Sequence, residues 1–240
     1  MKKSFMSKIQ RYLAFTLAEV VMVMGIIGVI GILGVSNAKK DTDTSEKVAQ
    51  LRKTYEILDA AFTQAVMENG KINKWGANAS YPTTAEIWQV INPYLEFSKK
   101  CETKSGCWKN AAPIGIDKQA SNINIDTSAN FEKAILSNGV SIAILDKMAN
   151  LFDSQNVFPF ILVDVNGKKG LNMFGNDIFA FEVHIDGTIV PSNSVGHPTW
   201  DINSTVVDVY RTQWVIQFGN MDYLKPCADE LSWTGSHTCR

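Results

Sequence analysis

What the chain lacks narrows its chemistry first. Its 240 residues hold only three histidines and four cysteines. None of them stands in an H-E-x-x-H or C-x-x-C pattern, and G-x-S-x-G and the phosphate-binding glycine loop are missing too, so the commonest metallopeptidase, hydrolase, dithiol and nucleotide sites are excluded. His184 falls in an apolar run, His197 beside Pro198 and His237 close to the last residue, and each reads as a structural or surface histidine. The chain is not expected to be an enzyme. Charge of one sign is scarce as well: 23 basic and 24 acidic residues leave a net charge of −1. No block of like charge follows the opening residues, so nucleic acid is not an expected partner. Proline is rare and late, the first being Pro82, so no ring interrupts a helix before that point.

What is there begins with a long apolar run at 15–35 that contains one charged residue, Glu19. At about 1.5 Å rise per residue this run covers roughly 30 Å, one bilayer core. A carboxylate in such a segment costs roughly 2.5–3.5 kcal/mol on insertion scales and marks a functional position that needs a partner. Lys2, Lys3, Lys8 and Arg11 precede the run, whereas Lys39, Lys40, Asp41 and Asp43 follow it with little net charge. The positive side stays cytoplasmic, which places the chain after about Asn37 outside.

The residues Ala14-Phe15-Thr16-Leu17-Ala18-Glu19, followed by VVMVMGIIGVIGILG, resemble the processing and methylation site of type IV pilins and type II secretion pseudopilins. The resemblance covers the leader and first helix. It implies cleavage between Ala14 and Phe15 by a prepilin peptidase, methylation of the new Phe15 amine, and assembly into a filament from an inner-membrane platform, with other pilin or pseudopilin subunits as partners. It also gives Glu19 its partner: the carboxylate pairs with a Phe15 ammonium, its own or a neighbour's, so that two buried charges compensate each other. The family usually has glycine before the cut, where this chain has Ala14. Two other readings of the leader stand beside this one, an uncleaved membrane anchor and a secretory signal cut after Ser36-Asn37-Ala38. A signal's apolar core is typically about 7–15 residues without an acid, which fits the run and Glu19 less well. Gly25, Gly28, Gly31 and Gly34 recur every third residue, either as ordinary membrane-helix glycine or as small residues that allow close helix packing.

The expected organisation is a leader at 1–14, a membrane or filament-core half-helix at 15–37, and a head at 38–240. Val48, Leu51, Tyr55, Leu58, Phe62 and Ala65 recur in three- and four-residue steps and define a buried helical stripe. Lys47, Arg52, Lys53, Glu56 and Asp59 cover the rest, and Asn69-Gly70 is the stop. Thr83 to Glu86 form a capping box before a short helix that runs toward Cys101 and that Pro93 kinks or ends. Residues 109–130 read as an exposed polar connection. The segments 140–145, 157–165 and 178–185 read as strands, 131–136 as a strand or a half-turn, and Asp186-Gly187 is a hairpin signal. The apolar 214–218 element is expected at the sheet's edge. An antiparallel sheet laid on the helical stripe makes an α+β, pilin-like head.

Four cysteines in an exported chain favour disulfides, and they allow three connectivities. Spacing supports Cys101 with Cys107 and Cys227 with Cys239, since each pair brackets a short polar loop. The most chemical-looking segment is 164–177, where Asp164, Asn166 and Asp177 are candidate calcium ligands among turn glycines. Its spacing is not that of an EF-hand, Lys168 and Lys169 oppose a cation, and a turn closed by its own side chains is the competing reading. No other cofactor is expected. Trp75, Trp108, Trp200 and Trp233 could present a sugar- or partner-binding surface, which keeps an anchored or secreted adhesin as the alternative function.

Overall fold

The structure is a computed structural model that describes residues 17–77, 82–121, 123–145, 157–192 and 211–239, with backbone only for 17–41, 157 and 158. The chain divides into two units, Met1–Asp43 and Thr44–Arg240. Helix α1 runs Leu17–Asn69 and stops where expected: Gly70 takes φ +76° and its N–H donates to Val66 O at 2.8 Å. Among the described residues no helix is long and apolar enough to cross a membrane. The spanning role expected of 15–37 falls on side chains that lie outside the described residues.

Residues 44–240 form an α+β head. Six strands, β1 (Phe97–Glu102), β2 (Glu132–Leu136), β3 (Ser141–Leu145), β4 (Val157–Asp164), β5 (Ile178–His184) and β6 (Ile189–Pro191), pair antiparallel in simple chain order. Their short apolar runs alternate between two buried faces. On one face Ala134, Leu136, Ile142, Ile144, Ile161, Val163, Phe179, Phe181 and Val183 meet the α1 stripe of Val48, Leu51, Leu58, Phe62 and Ala65. On the other, Ala143, Phe160, Leu162, Ile178 and Ala180 meet Trp108, Ile125 and Phe131. Burial on both faces explains why β4 and β5 read as nearly continuous apolar runs. Pro159 lies inside β4, and the pairing with β5 shifts register between Val157 and Phe160, the local accommodation that a missing N–H demands.

Helix α2 (Thr84–Ile91) begins with the expected capping box: Glu86 N–H donates to Thr83 Oγ1 at 3.3 Å, and Thr83 N–H to Glu86 Oε2 at 2.8 Å. It ends at Ile91, and a single 3-10 turn carries Pro93. Two expectations need correction. The chain beyond α2 reaches Cys101 as edge strand β1 rather than as helix. Only Cys101 in that strand is fully buried, and Ser98, Lys99 and Lys100 face solvent, a lysine-rich edge that discourages pairing with other chains. The segment 109–130 is not simply an exposed connection, because Ile125 and Asp126 are buried beneath the second sheet face. The apolar element at the C-terminal end, expected at the sheet's edge, is helix α3 (Arg211–Phe218), which lies against β5 and β6.

Both disulfides join the pairs that spacing supports, Cys101 to Cys107 and Cys227 to Cys239. The first brings Trp108 onto the sheet, where its indole N–H donates to Ile142 O at 3.0 Å. The second closes the last loop, which Cys239 N–H ties to Asp222 Oδ2 at 2.8 Å.

Candidate functional site

A cluster of interacting buried charges lies where α1 meets the β4–β5 loop. Asp164 is the last residue of β4 and Asp177 the residue before β5, and antiparallel pairing sets Asp164 opposite Ile178. The loop between them closes on itself. Asn166 N–H donates to Asp164 Oδ1 at 3.2 Å, and Val165 N–H to Asp177 O at 3.0 Å. Gly167, Gly170 and Gly175 all take positive φ, the backbone state that glycine adopts without Cβ strain. Tyr223 Oη donates to Gly175 O at 2.6 Å and pins the loop from the C-terminal side.

Asp177 is the hub. Its Oδ1 accepts from Asn166 Nδ2 at 2.8 Å and lies 3.0 Å from Lys47 Nζ, while its Oδ2 accepts from Asn176 Nδ2 at 3.0 Å. Lys47 also donates to Asn176 Oδ1 at 3.3 Å. The ion pair is nearly dry, with side-chain exposures of 11% for Lys47 and 3% for Asp177. Burial raises the Asp177 carboxyl above its ordinary range, and the Lys47 hydrogen bond and charge pull it back. Asp164 is shifted further, up to about 8, by burial first and by the Asp177 charge second. It is therefore protonated at neutral pH, and the cluster holds one positive and one negative charge.

The sequence reading brought the right three residues together, and the loop takes the form of its competing reading, a turn closed by its own side chains. Asp164, Asn166 and Asp177 do converge, but Lys47 already supplies the positive charge, Asp164 is neutral, and Asn166 turns its nitrogen rather than its oxygen toward Asp177. No group of three or more His, Cys, Asp or Glu able to hold a metal occurs among the described residues. Lys168, expected to oppose a cation here, instead donates to Gly106 O at 3.3 Å. Lys47 was read as part of the exposed helix surface; its position four residues before buried Leu51, beside the stripe, was the signal that could have found it.

The other candidate residues fall elsewhere. Ala14 and Phe15 lie outside the described residues, and Glu19 is described only as backbone, within α1. The tryptophans do not form a binding surface among the described residues. Trp75 and Trp108 are buried, and Trp233 packs edge-on against Trp214 at 5.1 Å; Trp200 lies outside the described residues. Comparison with protein-family models, with curated proteins and with solved structures yields no match.

Proposed function

We propose that this chain is a structural subunit of a type IV pilus or a type II secretion pseudopilus, assembled through its N-terminal helix rather than acting as an enzyme. The observation that carries the reading is Glu19, a lone carboxylate in an apolar run, five residues after Ala14 and at the fifth position of a chain that would begin at Phe15. A charge there is costly in lipid or in a dry filament core, and the new Phe15 ammonium is the group that would balance it. Two further features support the reading. Helix α1 continues without a proline from Leu17 to Asn69, and the head lays an antiparallel sheet on that helix, the architecture that the resemblance implies.

In this reading the basic leader stays in the cytoplasm and the head lies outside. A prepilin peptidase removes residues 1–14, and the subunit waits in the inner membrane for its assembly platform. The test is the mature N terminus. Mass spectrometry of protein recovered from its native membrane should find the chain starting at Phe15 with a methyl group on its amine. A chain starting at Lys39 would establish a secretory signal instead, and an intact leader would establish a plain anchor.

A further inference from the structure

Lys47, Asn176 and Asp177 form a closed ring of contacts that an ion pair alone does not require. One carboxylate faces both other groups, with Oδ1 3.0 Å from the lysine nitrogen and Oδ2 3.0 Å from the amide nitrogen of Asn176. The lysine nitrogen in turn lies 3.3 Å from the Asn176 amide oxygen. These contacts bring together a primary amine, a side-chain amide and a carboxylate, the nucleophile, acyl group and acid-base group that exchange of an amide's ammonia for an amine requires. From this geometry we propose that Lys47 and Asn176 condense into an intramolecular isopeptide bond, with Asp177 as the acid-base residue.

Asp177 takes a proton from the Lys47 ammonium across their 3.0 Å contact, a transfer that costs less in a nearly dry site than in water, where both charges are solvated. The free amine shifts from the amide oxygen toward the face of the amide and attacks Asn176 Cγ. The Nζ–Cγ bond forms and the Cγ–Nδ2 bond breaks. Of the three ammonium protons, one stays on the new amide and two leave with Nδ2 as ammonium, relayed by Asp177, which ends as the carboxylate it began as. No electron is transferred and no co-reactant is needed. Asn176 is only half-buried, which gives the ammonium a way out. Burial raises the Asp177 carboxyl, which suits a group that must hold a proton near neutral pH.

Lys47 and Asn176 stand 129 residues apart, so the reaction waits for folding and then locks α1 to the β4–β5 loop. This bond is independent of the filament reading and of how the N terminus is processed, since its evidence lies wholly within the head. The test is peptide mapping of the full-length protein after reduction of its cysteines. The expected result is a branched peptide joining the Lys47 and Asn176 segments, lighter by one ammonia, about 17 Da, with no tryptic cleavage after Lys47. Lys47→Arg and Asn176→Ala should each give only linear peptides. Asp177→Asn, shown to be folded by circular dichroism and by intact disulfides, should also remain linear. Linear peptides from the parent with cleavage after Lys47 would overturn the proposal, as would a branch at residue 177 lighter by one water, about 18 Da. A folded Asp177→Asn protein that branches as fully as the parent would overturn the role given to Asp177.

Discussion

Asp164 gives the head a pH dependence opposite to that of most paired carboxylates. Its folded value of about 8 lies above the ordinary 3.8, so between these values the folded state keeps a proton that the unfolded state has released. Stability therefore falls as pH rises from about 4 to about 8 and levels off above, by an amount on the order of a few kcal/mol. Asp177 is shifted the same way and adds to the slope. Asp164→Asn keeps the shape and removes the titration. Its urea midpoint should fall less between pH 5 and pH 8 than the parent's, and an equal fall in both would show that Asp164 does not set the slope.

Lys133 makes the second residue-scale case. It is fully buried, yet its ammonium meets the carbonyls of Asp126, Ser128 and Thr103 at 2.9, 2.6 and 3.1 Å. Lys133→Met should fill the volume but strand three acceptors, lowering stability by on the order of 3 kcal/mol in urea titration. Neither Lys133 nor Lys47 was legible as a buried charge. A lysine buries only where a distant segment supplies its partners, and periodicity carries no record of which segment that is.

At the scale of elements, the signals that depend on neighbouring residues were the readable ones. The α1 stripe, the Thr83 capping box, the Gly70 stop and the Asp186-Gly187 turn each follow from contacts within a few residues. Strand β1 was missed because its sequence is mostly polar, and an edge strand needs only one buried contact, here Cys101. The burial of Ile125 and Asp126 was missed because it depends on the Cys101–Cys107 loop folding back over the sheet. The Gly187 turn shows how an element also reads its neighbour. Gly187 has φ +88°, and a Cβ there would meet Val66 Cγ2 at 2.6 Å and Phe62 O at 3.2 Å. Gly139 has nearly the same φ, +87°, with nothing within 4 Å. Both Gly→Ala changes incur the backbone strain, but Gly187→Ala should lose a further 1–3 kcal/mol, roughly, by forcing the β5–β6 turn off α1. Equal losses in chemical denaturation would mean that the turn and helix adjust without strain.

For the whole molecule, the head is built from two cores on one sheet, one under α1 and one under the Cys101–Cys107 segment. Side chains along α1 reach three separate parts of it: Gln50 donates to Asn138 O at 3.0 Å, Tyr55 to Ile189 O at 3.3 Å and Arg52 to Ile216 O at 2.8 Å. These bonds tie the part of α1 within the head to the β2–β3 turn, to β6 and to α3. The α+β class was legible because helix-period and strand-period segments are well separated along the chain. The functional reading rests instead on residues 14–19, whose meaning is chemical rather than architectural.

The most direct measurement is filament formation by Glu19→Gln beside the parent, with expression and membrane retention followed in the same cells. Removing the charge eases insertion, so the variant should be expressed and retained as the parent is. It should also assemble few or no filaments, or lose the secretion a pseudopilus drives, because a buried Phe15 ammonium left unpaired costs about 3–5 kcal/mol. Equal filament yield and equal activity from the variant and the parent would contradict the account.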